Sequence, residues 1–202
     1  NPLNRAICAL LAAADEQIVI STPYFNPPRL VMAEIDRALA RGVALEIIVG
    51  DRTANDFYVA PGEPFSASGV LPYLYEDTLR AFAKRRQAAI DAGQLTLRIW
   101  NDPGHTFHAK GVWIDQRYSL LTGNNLNPRG FNLDLENGLL IDDPLGQWLA
   151  PREKELQALR RHAPALRSAS ELGEPGEHPQ QVRKFLKRLR FSRLEPLIKR
   201  VL

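Results

Sequence analysis

The sequence predicts an α/β domain, a mixed and mostly parallel sheet flanked by helices, with a basic helical tail at its C-terminus. Three observations predict it. Short β-branched or apolar runs at 17–25, 43–49 and 95–101 alternate with stretches of helical periodicity, the β-α-β-α-β order that builds a parallel sheet with helices on its faces. Two further runs, His108–Asp115 and Tyr118–Thr122, lie two residues apart, which is hairpin spacing, and a third covers Asn137–Ile141. Residues 182–202 hold eight Lys or Arg against the single Glu195.

Taken in order, Ala6–Ala14 is an apolar stretch after Arg5 that faintly resembles a signal h-region. It runs directly into the first strand, so it reads as a core helix. Pro27-Pro28 opens a helix on which Val31, Ile35 and Leu39 repeat every four residues, and Gly42 stands where a helix C-terminus favours glycine. Asp51–Gly69 is a loop of about 19 residues at the carboxyl end of a strand. Loops so long inside an α/β domain are usually functional or disordered, and Phe57, Tyr58 and Phe65 argue against disorder. Leu71, Tyr75, Leu79 and Phe82 mark a helix ending near Gly93, and another helix falls near Leu145–His162. Residues 164–179 contain three Pro and two Gly and read as a linker. The expected organisation is a catalytic half-domain at 1–163, the linker at 164–179 and an amphipathic tail at 180–202.

Composition excludes several classes. With 45% hydrophobic and 24% charged residues the chain is not disordered. No apolar run approaches the ~18 residues of a membrane span. The single Cys8 excludes an intramolecular disulfide and a Cys-rich metal site, which suits a reducing cytosol. The first residue is Asn and the only Met is Met32, so the chain is not expected to be a complete translation product. The net charge of +3 belongs to the tail; the rest of the chain is net acidic.

The stretch His108-Ala-Lys110-Gly-Val-Trp-Ile-Asp115 is an H-x-K-x4-D pattern. On a strand His108 and Lys110 share a face. An imidazole that can attack phosphorus beside an ammonium that can hold its oxygens suits phosphate chemistry. Alone, the pattern is far more often that of a half-buried strand with a chance His beside a Lys. Asp115 has an odd offset from His108, so it is read as structural, in an ion pair near the strand end.

The continuation decides. Thr122-Gly-Asn-Asn-Leu-Asn-Pro-Arg129 and Leu133-Asp-Leu-Glu-Asn137 follow, with Asn125 and Glu136 lying 17 and 28 residues after His108. This resembles the phospholipase D superfamily, although Thr122-Gly123-Asn124 replaces the family's Gly-Ser turn. With TPYFNPP (22–28), IIVGDRTANDFY (47–58), LPYLYE (71–76) and RKFLKRLR (183–190), the chain is similar to the C-terminal half of the Gram-negative phosphatidylserine synthases. The resemblance implies a phospholipase D-like half-domain and a ping-pong phosphatidyl transfer from CDP-diacylglycerol to L-serine through a phosphatidyl-histidine. It implies catalytic roles for His108, Lys110, Asn125 and Glu136, with Glu136 orienting the imidazole, and no metal or other cofactor. A second H-x-K half is required, from a missing N-terminal region or a homodimer, and the isolated chain is expected to be inactive unless it dimerises. A cardiolipin synthase, a phospholipase, a metal-independent nuclease and a non-catalytic scaffold are the alternatives.

Further candidates stand on loops. Asp51, Asn55 and Asp56 either select cytidine or serine or make Asx turns; Tyr24 and Asn26 either line the pocket or, for Asn26, cap a helix. Asn124 is a further substrate-binding candidate. His105 reads as a solvated loop residue, and His162 and His178 receive no role. In the tail, Val182, Phe185, Leu186 and Leu189 form one stripe and Arg183, Lys184, Lys187, Arg188, Arg190 and Arg193 fill the rest. Such a helix suits an anionic membrane, which would place the protein in the cytoplasm at the inner membrane. Binding ribosomal RNA, or folding the stripe onto the domain, are the competing uses.

Overall fold

Alternate residues of the central strands face two different cores, and this divides the molecule. The computed structural model describes residues 1–202, leaving aside the side chain of Val201. Strands β1 (Gln17–Thr22), β2 (Ala44–Gly50) and β3 (Leu95–Trp100) pair in parallel. β4 (Gly111–Ile114) joins β1 antiparallel, and β5 (Tyr118–Thr122) and β6 (Gly138–Asp142) extend the sheet by two more antiparallel pairings. The six-stranded order is β3-β2-β1-β4-β5-β6. The sheet is mixed: β1, β2, β3 and β5 run one way, and β4 and β6 run against them.

Ile18, Ile20, Leu45, Ile47, Val112 and Ile114 point to the larger core. There they meet Ile7, Leu10 and Leu11 of α1 (Pro2–Ala13), Val31, Ile35 and Ala38 of α2 (Arg29–Ala40), and Leu79, Phe82 and Ala83 of α3 (Leu71–Arg85). The intervening Val19, Ile48 and Trp113 face the other way, against Phe107. Strands buried on both faces read as continuous apolar runs, which is why 17–25 and 43–49 were recognisable. The helix expected to end near Gly93 is two, α3 and α4 (Gln87–Asp91), parted at Arg86. Gly42 closes α2 at φ +88° with open space around it, so the backbone conformation alone calls for glycine.

The short α5 (Pro128–Asn132) follows β5, capped by Asn127, whose Oδ1 accepts from the Gly130 amide at 2.8 Å. α6 (Leu149–Arg161) covers the second face with Leu156. It is pinned by Arg160, which donates to Glu46 at 2.6 Å, while Arg98 grips the same carboxylate from β3. Burial opposes ionisation of Glu46, but these two guanidiniums hold its pKa below the usual value.

The 164–179 segment joins α6 to the tail and is itself anchored on the domain. Ile99 donates to the Pro164 carbonyl at 3.2 Å and Leu166 to the Leu97 carbonyl at 2.8 Å, so the chain seals the outer edge of β3. Ala169 and Leu172 then enter the larger core. The opposite edge is bare: Leu139 and Leu140 of β6 are 62% and 46% exposed, and Leu133 and Leu135 just ahead of it are also exposed.

The tail forms α7 (Gln180–Phe191) and α8 (Glu195–Val201). Its apolar stripe folds onto the domain, the use weighed against membrane binding. Val182, Leu186 and Leu189 are buried against Val70, Tyr73 and Leu74. Burying such a side chain is worth about 1.5–3 kcal/mol. Arg190 is also taken up, bonding Asp77 at 2.8 Å and Glu195 at 3.0 Å. Arg183, Lys184, Lys187, Arg188 and Arg193 remain exposed.

Candidate active site

Strand register assembles the site. Thr22 of β1 pairs with Val49 of β2, Ser21 with Gly111 of β4, Gly111 with Leu121 of β5, and Thr122 with Gly138 of β6. The segments leaving β1, β2 and β5 and those entering β4 and β6 therefore emerge at one end of the sheet. That end is the carboxyl end of the parallel strands, where open α/β sheets bind ligands. Tyr24, the 51–69 loop, His108, Lys110, Asn125 and Glu136 all converge there.

His108 and Lys110 lie just ahead of β4 rather than within it, since the ladder starts at Gly111. The Ser21 hydroxyl donates to the Ala109 carbonyl at 3.1 Å and keeps this approach extended. The two side chains emerge on one side, as alternation predicts: Lys110 Nζ lies 2.9 Å from His108 Nδ1 and 2.8 Å from the His108 carbonyl oxygen. Gly111 owes its place to Trp113. A Cβ there would stand 2.6 Å from the indole Cη2, so the ring lies flat over the glycine.

The far imidazole nitrogen, Nε2, is 3.5 Å from Asp56 Oδ2. That oxygen also accepts a 2.8 Å hydrogen bond from the Tyr24 hydroxyl. Tyr24 is buried, stacked on Tyr75 at 5.3 Å and 16°, with its edge toward His108 at 6.0 Å. Burial and the Asp56 carboxylate push the Tyr24 phenol far up, and burial lifts Tyr75 to about 12, so both stay neutral donors at neutral pH. The imidazole thus has an ammonium at Nδ1 and a carboxylate near Nε2, and its tautomer sets which nitrogen offers a lone pair. Burial lowers the pKa of Lys110, against the attraction of Asp56 and Glu136.

Asn125 is held by its backbone, whose carbonyl accepts from Thr22 Oγ1 at 2.7 Å, while its buried Oδ1 has no partner among the described residues. The Glu136 carboxylate lies against Gly123, where a Cβ would be 2.3 Å from Oε2. This is what the Thr-Gly-Asn turn provides: room for Glu136. Among the described residues Glu136 makes no bond to His108, and the carboxylate beside the imidazole is Asp56 instead.

The other candidates separate cleanly. Asp51 accepts from the Thr53 amide at 2.8 Å and Asn55 from the Phe57 amide at 3.0 Å, both Asx turns. Asn26 caps no helix; its amide donates to the Lys199 carbonyl of α8 at 2.9 Å. Asn124 is fully buried, donating to the Gly130 carbonyl at 3.0 Å and accepting from the Leu126 amide at 2.8 Å. Asp115 is structural, but not through an ion pair. At φ +50° it turns its carboxylate onto the backbone amides of Asp15, Glu16 and Gln17 at 3.2, 2.8 and 2.8 Å. Three amides at the start of β1 satisfy it as a cation would. His105 pairs with Asp102 on the surface. Reasoning from sequence missed Tyr75, read only as a helix marker, and His178, which is buried between α3 and α7. Among the described residues no three His, Cys, Asp or Glu side chains form a metal-binding group, and no helix is long and apolar enough to cross a membrane.

A paired imidazole and ammonium at the end of such a sheet mark a domain of the phospholipase D type. The chain belongs to that family: residues 7–160 match the family described as "Cardiolipin synthase, PLD-like domain". It is 48% identical over 202 residues to the CDP-diacylglycerol–serine O-phosphatidyltransferase of Haemophilus influenzae, covering 100% of this chain and 44% of the relative. Identity to the enzyme of that name from Escherichia coli is 46% over 200 residues, covering 99% of this chain and 44% of the relative. The crystal structure of phosphatidylserine synthase from Haemophilus influenzae superposes with a TM-score of 0.96 at 48% identity, covering 99% of this chain and 45% of that one. The chain thus spans less than half the length of the relatives it matches.

Proposed function

We propose that this chain forms one half of the active site of a phosphatidyltransferase that moves a phosphatidyl group from CDP-diacylglycerol to L-serine. The 48% identity along the whole chain to a protein of that name carries the reading. His108, Lys110, Asn125 and Glu136 support it at the site. In this scheme one histidine attacks the β-phosphorus, the bond to CMP breaks, and a second histidine protonates the departing CMP. The serine hydroxyl then attacks the phosphatidyl-histidine, its proton passes to the second histidine, and the phosphorus–nitrogen bond breaks. His108 takes one of the two roles. Lys110 has ammonium hydrogens beyond the one that bonds the His108 carbonyl, and these with the Asn125 amide serve the phosphoryl oxygens. Glu136 sustains the charge of Lys110.

The second His–Lys pair comes from another half, in a longer chain or a second copy. The tail meets anionic lipid by its exposed basic residues, each worth about 1 kcal/mol near such a surface, which fits a cytoplasmic enzyme at the inner membrane. Incubating the intact protein with CDP-diacylglycerol and labelled serine should release CMP and give phosphatidylserine. His108→Ala should lower the rate by about 10²–10⁴-fold. Transfer to a glycerol-type acceptor instead, or cleavage of DNA, would overturn the reading.

A further inference from the structure

Asp56 stands apart from the other polar residues of its loop. Asp51 and Asn55 give their side-chain oxygens to local backbone amides. Asp56 makes no such turn. Its Oδ2 is fixed by the Tyr24 hydroxyl at 2.8 Å and lies 3.5 Å from His108 Nε2, too far for a strong hydrogen bond. Its Oδ1 has no partner among the described residues, and the side chain is 41% exposed. Tyr24, which sets its position, is itself immobilised by stacking on Tyr75 and by Phe57 at 6.1 Å. A carboxylate is therefore held rigidly beside the atom that bonds phosphorus or takes a proton, with acceptor capacity to spare.

We propose that Asp56 receives the ammonium group of the acceptor and so selects an amino alcohol over a neutral polyol or water. The inference rests on the phosphatidyl-transfer reading and names the group that chooses the acceptor. When the acceptor hydroxyl approaches phosphorus at Nε2, an ammonium two carbons away reaches the free oxygen of Asp56. A charge-assisted hydrogen bond of this kind is about twice as strong as a neutral one, and a glycerol hydroxyl at the same place forms only the weaker kind. Tyr24 keeps the carboxylate from rotating onto the imidazole, so that its charge is directed to the substrate.

The test is acceptor partition in the intact protein. CDP-diacylglycerol is supplied with a fixed concentration of L-serine, and phosphatidylserine and phosphatidate are measured together. Asp56→Asn keeps the bond to Tyr24 and removes the charge. The phosphatidylserine-to-phosphatidate ratio should fall about 10- to 100-fold, and the KM for serine should rise more than kcat falls. Tyr24→Phe, which frees the carboxylate without discharging it, should shift the ratio the same way by less. A ratio unchanged in Asp56→Asn overturns the inference and leaves the transferase reading intact. Both products falling together at constant ratio, with a shifted pH profile, would make Asp56 a group that positions His108 and would equally overturn it. Absence of CMP release from the unaltered protein removes both readings.

Discussion

Gly111→Ala tests how the site is built from below. A Cβ at this position would stand 2.6 Å from Trp113 Cη2 and 3.0 Å from both Cζ2 and Cζ3, closer than such atoms approach. Trp113 cannot yield easily: it is 1% exposed and shares its core with Val19, Ile48, Phe107 and Leu156. The alternative is to lift the start of β4 and, with it, the adjoining Lys110. Inserting a methyl into a filled core costs about 1–3 kcal/mol, which for a chain of this size lowers Tm by roughly 2–12 °C. Urea unfolding followed by circular dichroism measures the cost. Trp113→Phe removes the part of the ring that meets the new methyl, so the double variant should be more stable than the sum of the two single changes implies. The expected coupling is about 0.5–3 kcal/mol. A Gly111→Ala cost below about 0.5 kcal/mol, or strict additivity in the double variant, would refute the argument that the ring fixes the glycine.

Three other outcomes follow from the same geometry. Gly123→Ala should leave Tm nearly unchanged, because the atom it strikes is the end of the flexible Glu136 side chain, yet should lower CMP release about tenfold or more by displacing that carboxylate from the site. Glu136→Gln withdraws one of the two carboxylates that raise the Lys110 pKa against burial. The alkaline limb of the pH–rate profile, where Lys110 loses its proton, should therefore move to lower pH. His178 has its pKa lowered, first by burial and then by Arg80, Arg52 and Arg190, against the pull of Asp77. The unfolded chain takes up a proton near the ordinary histidine value of about 6.5 and the folded chain resists it. The contribution is thus full above that pH and lost below it, so protease cleavage between 172 and 180 should accelerate on acidification and lose this pH dependence in His178→Gln.

Periodicity made most of the sheet legible, because β1 and β2 are buried on both faces and their apolar runs are unbroken. It placed the start of β4 too early, at His108. Extended chain alternates side chains whether or not a neighbour completes its ladder, so the His108–Lys110 pairing survived the error. Asp115 was recognised as structural, but its partners are backbone amides a hundred residues away in sequence, which no spacing rule reports. The 164–179 segment has the composition of a linker, and composition does not register that Leu172 finds a core. Asp51, Asn55 and Asp56 are equivalent on paper. Only the folded loop sends one of them to an imidazole 52 residues further on.

The two edges of the sheet have unequal fates in solution. β3 has its outer backbone groups covered by the chain that follows α6, whereas β6 presents an unpaired strand bearing exposed Leu139 and Leu140. Such an edge is a template on which strands of other molecules can add. The 202-residue chain by itself therefore carries a one-sided aggregation hazard. On warming or concentration it should recruit neighbours through β6, and a charged residue such as lysine in place of Leu139 should keep it dispersed.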